Sequence, residues 1–122
     1  MPPTAINLGI TSAQRLVALL VLHFLEAESG LSEADLLRRI RDLGGEGFWV
    51  PNKGTVSKVV RGLIAEGYVE GRWVNPEGRR RWALSITDEG RIHLRVLKRE
   101  FRKRLDAGRR FFDQAVRELY GG

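Results

Sequence analysis

The sequence predicts an α+β, mostly helical fold: a winged helix-turn-helix with a three-helix core and a two-stranded β-wing, followed by one long C-terminal helix. Residues 52–67 place apolar side chains at helical spacing between an asparagine cap and a glycine stop. Two short stretches with strand character follow, joined by the turn signal Asn-Pro-Glu-Gly at residues 75–78. From Asp88 to Tyr120 there is no proline, and apolar residues recur every three or four positions.

Length and charge set the bounds of this prediction. A chain of 122 residues suits a single domain, in which we expect residues 11–86 to form the winged helix and residues 87–120 to form a dimerisation helix. The net charge of +6 is unevenly distributed, because residues 1–50 carry four basic and six acidic side chains and the remainder carries the excess of Lys and Arg. This distribution favours a polyanionic partner.

Cysteine is absent, so the sequence offers no disulfide, no thiolate nucleophile and no cysteine metal ligand. The longest apolar run, residues 16–25, is too short for a bilayer, which takes roughly twenty apolar residues. Only Arg15 precedes this run, which therefore lacks the basic start of a signal peptide. We expect a cytoplasmic protein with no membrane segment.

The first helix is expected over residues 12–28. Two prolines and a glycine within residues 1–10 predict a partly ordered arm, and Thr11 with Gln14 has the spacing of a capping box. Apolar side chains lie nearly all the way round this helix, which is typical of a helix buried on every side. A domain of this size cannot cover it completely, so we expect part of it to pack on a second subunit.

The second helix is predicted from Ser32, with Asp35 at the third position, to about Leu43, where two glycines end it. The connection that follows is long and contains Phe48-Trp49-Val50. We expect these apolar side chains to cover the bottom of the core. The alternative is that they form the aromatic wall of a small-molecule pocket.

The third helix has the pattern of a recognition helix. Asn52 can cap its first turn, and the side opposite the apolar residues is small and basic, with no acid. Such a helix fits the major groove of duplex DNA. The residues expected to contact DNA are Lys53, Gly54, Thr55, Ser57, Lys58 and Arg61, with Arg61 as the candidate for a base edge.

A β-hairpin, the wing, is predicted from two strands over residues 68–74 and 80–86. Arg79, Arg80 and Arg81 are expected together at its tip, in contact with DNA phosphates. Trp73 and Trp82 are expected mainly in the core, because of the large apolar area of tryptophan.

The last helix, capped by Thr87, carries an apolar seam nearly five turns longer than the small domain could cover. Together with the apolar first helix, this seam predicts a homodimer. The expected dimer contacts are Leu16, Leu20, Leu94, Leu97, Phe101, Leu105, Phe112 and Leu119.

Four motifs resemble the PadR family of transcriptional repressors over roughly residues 12–119. They are Gly54-Thr55, Glu66-Gly67, Gly78-Arg79-Arg80 and Ile86-Thr87-Asp88-Glu89-Gly90. The chain departs from the family where Ser57-Lys58 stands in place of Tyr-Pro. The resemblance implies a winged-helix transcriptional repressor, and it implies that some relatives bind aromatic compounds in pockets containing tryptophan. It therefore makes Trp49, Trp73 and Trp82 the candidate pocket for a small aromatic effector.

Catalysis is not expected, because no HExxH, GxSxG, P-loop or dinucleotide motif is present and His23 and His93 are isolated. No cofactor and no metal are expected. Three functions stay open: a regulator that binds double-stranded DNA sequence-specifically, a non-specific architectural DNA binder, and a winged helix that binds protein or RNA. The last predicts an acidic or apolar recognition helix, whereas this helix is basic.

Overall fold

A computed structural model describes residues 2–44 and 51–121, with side chains from residue 13 onward. The elements, in chain order, are α1 (Pro2–Ala27), α2 (Glu33–Leu43), α3 (Lys53–Ala65), β1 (Val69–Val74), a 3-10 turn (Pro76–Gly78), β2 (Arg81–Ile86) and α4 (Asp88–Tyr120). This order confirms the predicted fold class, a mostly helical winged helix with a long last helix.

Helix α1 begins at Pro2, so the predicted arm over residues 1–10 and the predicted helix start at residue 12 are wrong. The backbone N–H groups of the first helical turn have no acceptor within the helix. Proline, which has no backbone N–H, is therefore tolerated there. Gly9 disfavours a helix by about 1 kcal/mol relative to alanine, which is too little to end a long one. Thr11 consequently lies inside α1 rather than at its cap.

Three predicted N-caps are confirmed. The backbone N–H of Asp35 donates to Ser32 Oγ at 3.1 Å, and the backbone N–H of Ser32 donates to Asp35 Oδ2 at 3.0 Å, which completes the capping box of α2. Asn52 Oδ1 accepts the backbone N–H of Thr55 at 2.7 Å at the start of α3. Thr87 caps α4 in the same way. These side chains fix where three of the helices begin.

The wing is the antiparallel pair β1–β2, in which Trp73 lies opposite Trp82. Leu31, between α1 and α2, adds a single bridge to Leu84 of β2. This bridge joins the wing to the helical part of the fold.

The core receives side chains from all four helices and both strands. Its fully buried members are Val17, Val21, Leu22, Leu25, Leu36, Val56, Val60, Val69, Leu84 and Leu94. Leu16, Leu20 and Phe24 of α1 are only partly buried, and His23 is exposed. One copy of the chain therefore leaves part of α1 accessible, as the sequence predicted.

Helix α4 changes character along its length. Its first four turns are anchored by Gly90, Leu94, Leu97 and Phe101, which are buried. A Cβ at Gly90 would lie 2.1 Å from the carbonyl oxygen of Tyr68, so only glycine lets α4 approach the start of β1 this closely. From Leu105 onward the large apolar side chains of α4 are exposed. We call residues 105–120 the distal half of α4.

Candidate nucleic-acid interface

Helix α3 buries its apolar side and exposes the small basic side that the sequence predicted. Val56, Val59, Val60 and Leu63 are buried. On the opposite side Gly54, Lys58, Arg61 and Ala65 are exposed and Ser57 is half-buried. We call these five residues the recognition face. Lys53 is also exposed, at the first position of the helix.

Two of the predicted DNA contacts lie beside the cap of α3. The hydroxyl of Thr55 donates to Asn52 Oδ1 at 3.0 Å, so this side chain is engaged within the cap. A Cβ on Gly54 would lie 3.3 Å from the same oxygen, which leaves little room for a larger residue. The two cations of the recognition face, Lys58 and Arg61, are therefore its strongest groups for binding an anion.

The three consecutive arginines of the wing differ in their contacts. Arg81 Nη1 donates to Asp35 Oδ2 at 3.0 Å, and Arg81 Nη2 donates to the carbonyl oxygen of Gly30 at 2.6 Å. Arg81 pairs with Val74 at the turn end of the wing, so it fastens that end to α2 and to the loop before it. All three arginines therefore lie at the turn end of the wing, as expected, but Arg81 is bound to the body of the protein, whereas Arg79 and Arg80 are exposed beside the turn.

Asp35 is the acceptor at the centre of this attachment. The backbone N–H of Ser32, and then the hydrogen bond from Arg38, outweigh burial and lower the pKa of Asp35 from 3.8 to about 2. The carboxyl group is therefore charged at neutral pH and holds Arg81 as well as capping α2.

The tryptophans only partly follow the prediction of core positions. Trp82 is half-buried and packs against the core, but Trp73 is 57% exposed. The two rings lie 5.0 Å apart at 57°, and the guanidinium of Arg80 lies 4.4 Å from the Trp73 ring centroid. Trp49 lies outside the described residues, as do Phe48 and Val50, which were expected to cover the core.

Two grooves connect the wing to α3 across the first turn of α2. One, of about 470 Å³, is lined by Trp73, Trp82 and the α2 residues Ser32, Glu33 and Ala34. The other, of about 230 Å³, is lined by Glu33, Ala34, Leu37, Arg41, Lys53 and Val56. The first turn of α2 thus lies between the wing tryptophans and the start of α3, so the two grooves link the wing to the first turn of α3.

The predicted dimer contacts on α4 fall into two groups. Leu94, Leu97 and Phe101 are buried in the core of their own chain, because the first turns of α4 pack on α1. Leu105, Phe112 and Leu119 are exposed. Four further apolar residues of α4 are exposed and were not predicted, although each stands one position from a seam residue: Val96, Phe111, Val116 and Tyr120.

An apolar groove of about 320 Å³ lies where α1, the end of α2 and Leu105 of α4 meet. It is lined by Leu16, Leu19, Leu20, Ile40, Leu43, Gly44 and Leu105. Two of the predicted dimer contacts on α1 therefore open onto the same groove as the first exposed seam residue of α4.

Within residues 2–44 and 51–121, no group of three or more His, Cys, Asp or Glu side chains is arranged to hold a metal ion. No helix in that part of the chain is both long enough and apolar enough to cross a bilayer.

No family model and no curated protein sequence matches this chain. Solved structures do match. A PadR family transcription regulator from hypervirulent Clostridium difficile aligns with a TM-score of 0.62 and 19% identity, covering 79% of this chain and 97% of that chain. A PadR family transcriptional regulator from Eggerthella lenta aligns with a TM-score of 0.65 and 21% identity, covering 90% and 94%. Bacillus subtilis PadR in complex with operator DNA aligns with a TM-score of 0.56 and 20% identity, and the alignment covers 66% of this chain and 46% of that chain.

These similarities establish the fold as that of a winged-helix protein. More narrowly, it is the PadR-like form of the fold, with the long last helix, as the four sequence motifs predicted.

Proposed function

We propose that this protein is a transcriptional regulator that binds double-stranded DNA sequence-specifically, as a homodimer that represses from an inverted-repeat operator. One observation carries the proposal: the exposed side of α3 is small and basic, and two grooves across the first turn of α2 link the start of that helix to an arginine-bearing wing. Small residues let a helix backbone approach base edges, and cations neutralise the phosphates on either side. Such a regulator would act in the cytoplasm and would not be an enzyme.

The residues divide into base-reading and phosphate-binding roles. Arg61 lies at the middle of the recognition face, from where an arginine can bind guanine O6 and N7 through two hydrogen bonds. Lys53, Lys58, Arg79 and Arg80 are exposed, and we assign them to phosphate contacts, which fix orientation without reading sequence. Bacillus subtilis PadR, whose fold is similar, has been crystallised with operator DNA, and this supports the same partner here.

A second copy of the chain fits the remaining exposed surface. The 33 residues of α4 extend about 50 Å at 1.5 Å per residue, and the distal half carries six large apolar side chains that are 47% to 79% exposed. The apolar groove between α1 and Leu105 would receive apolar side chains of this kind. A two-fold axis would bury both surfaces at once and would present two copies of α3 to half-sites about one helical turn apart.

An aromatic effector is not included in the proposal. Trp73 and Trp82 do line one groove, but that groove is open, and Arg80 covers a face of Trp73. Sites for small aromatic molecules normally enclose most of the ligand.

The proposal is tested by selecting bound duplexes from a random pool and comparing the selected duplex with one whose half-sites are scrambled. We expect binding to the selected duplex to be tighter by about 10³-fold or more, and affinity for both to fall between about 50 mM and about 200 mM salt. Equal affinity for the two duplexes would make the protein an architectural DNA binder. No binding to either at low salt would contradict DNA binding and favour a protein or RNA partner.

A further inference from the structure

We propose that Trp73 is a positioning residue for DNA binding: packed between Trp82 and Arg80, it holds the Arg80 guanidinium in place before DNA arrives. This inference rests on the proposed DNA-binding function, and it assigns the tryptophan pair of the wing to orientation of an arginine.

The position of the Trp82 ring depends on Gly71 of β1. A Cβ on Gly71 would lie 2.4 Å from the Trp82 ring, so the absence of a side chain at this position of β1 makes the space that the indole occupies. Trp82 is half-buried and packs against the core. Its ring is therefore fixed by both the strand backbone and the core.

Trp73 takes its position from Trp82. The two residues face each other across the antiparallel register, and their rings lie 5.0 Å apart at a tilted angle that aromatic pairs favour. More than half of Trp73 nevertheless stays exposed. A large apolar side chain held at the surface by another ring contributes little to the core, so its placement calls for a role outside the fold.

Arg80 lies on the exposed ring. Its guanidinium carbon is 4.4 Å from the Trp73 centroid, within the distance at which a cation is attracted to the ring face. A guanidinium held over a ring face keeps N–H groups able to donate to an anion. An arginine ordered in this way loses less side-chain freedom when it binds, which is the general basis of preorganisation.

The neighbouring arginines supply the contrast. Arg81 is held by Asp35 and Gly30 and faces the body of the protein. Arg79 is exposed, and the described residues show no ring contact for it. Of three consecutive arginines, Arg81 is fixed inward, Arg80 is held outward over a ring, and Arg79 extends into solvent. Only the middle one has the arrangement expected of a preorganised phosphate contact.

The location agrees with this role. The open groove along Trp73 and Trp82 is lined on its other side by the first turn of α2, and Lys53 lies across that turn. Arg80 and the start of α3 therefore flank the same turn of α2, on the surface assigned to DNA. An aromatic ligand in the groove would compete with Arg80 for Trp73, which makes ligand binding the rival interpretation to be tested.

The test is a double-mutant comparison on the selected duplex, with thermal unfolding of each variant as a check on the fold. Trp73→Leu removes the ring and keeps apolar bulk, and Trp73→Tyr keeps an aromatic face. We expect Trp73→Leu to weaken binding about threefold to tenfold and Trp73→Tyr to restore most of the loss. In an Arg80→Ala background, Trp73→Leu should have no further effect, because the residue acts through Arg80. In an Arg79→Ala background, the matched control, the full effect should persist.

A second readout is the salt dependence of binding. Arg80→Ala should lower the slope of log affinity against log salt by about one, and Trp73→Leu should lower it partway, which a purely structural role would not do. Wild-type affinity in Trp73→Leu, or an equal loss in the Arg80→Ala background, would overturn the inference while leaving the proposed function standing. So would an aromatic compound that quenches tryptophan emission in the wild type but not in Trp73→Leu. Failure of the wild type to bind any duplex would overturn the proposed function itself, and this inference with it.

Discussion

The recognition face of α3 and the distal half of α4 are both exposed, but exposure to water is favourable for the first and unfavourable for the second. Water solvates the lysine and arginine of the recognition face, so that surface is stable without a partner. The distal half of α4 instead exposes large apolar residues along one helix, among them Phe112 at 54% and Leu119 at 73%. A continuous apolar stripe of this kind marks a surface for association. We therefore propose that α3 and the wing choose the DNA partner and that α4 mediates assembly.

The same division runs through α4 itself. Its proximal half belongs to the core of the winged helix through Leu94, Leu97 and Phe101. Its distal half adds nothing to that core apart from the groove at Leu105. We therefore expect changes in the distal half to alter assembly without unfolding the domain, and we expect changes on α3 to alter DNA binding without altering assembly.

The largest effect should come from a charge on the distal half. Phe112→Glu places a carboxylate on the apolar stripe, and burying it between two chains without a cation would be unfavourable. We expect a monomer by light scattering and a loss of about 100-fold or more in affinity for the inverted repeat, because two linked half-sites become one.

The matched control is Gln114→Glu, two residues along the same helix and on its opposite side. It adds the same charge and should leave both assembly and DNA affinity near those of the wild type. If both variants were monomeric, the change in net charge rather than the apolar stripe would explain the dissociation. If Phe112→Glu stayed dimeric, the assignment of α4 to the dimer interface would be wrong.

A smaller effect is expected from the recognition face. Arg61→Ala should lower affinity for the selected duplex by about 1–3 kcal/mol and relax the preference at one base position. Lys58→Ala should weaken binding to every sequence alike, because it removes a phosphate contact. Both proteins should remain dimers. Unchanged affinity in Arg61→Ala, measured by fluorescence anisotropy on base-substituted duplexes, would refute the assignment of α3 as the reading helix.

The smallest effect concerns the attachment of the wing and depends on pH. Asp35→Asn should lower the free energy of unfolding by about 0.5–2 kcal/mol near pH 7, because it weakens the capping box and the ion pair with Arg81. The pKa of Asp35 in the folded state, about 2, lies below its ordinary value of 3.8. The stabilisation is therefore complete above about pH 4 and is lost as the pH falls toward 2.

Urea unfolding at several pH values measures the difference in the free energy of unfolding between the wild type and Asp35→Asn. This gap should narrow as the pH falls from about 4 toward 2. Asp42→Asn, near the end of α2, serves as the control and should change stability by only a few tenths of a kcal/mol. A gap that stays constant down to pH 2 would mean that the charge of Asp35 is not the source of the stabilisation.

Patterns among residues close in sequence were sufficient to predict most of the fold. The caps at Ser32, Asn52 and Thr87 depend on a side chain and a backbone group three residues apart, so the sequence alone located them. The start of α1 was missed because prolines end a helix only in its interior, and Pro2 stands in the first turn.

The candidate site was less predictable, because it depends on contacts distant in sequence. Arg81 pairs with Asp35, 46 residues earlier, and nothing near Arg81 in the sequence separates it from Arg79 and Arg80. Trp73 is exposed because Trp82 already occupies the space over Gly71, which depends on the strand register. By contrast, exposure of the recognition face followed from helical periodicity alone.

The central claim is that two copies of this chain, joined through α4, present two copies of α3 to one inverted repeat. Multi-angle light scattering on the intact protein, alone and with the selected duplex, tests it most directly. The account predicts a mass of two chains at micromolar concentration and a complex of two chains with one duplex. A single chain in solution that binds the duplex one to one with full affinity would contradict it.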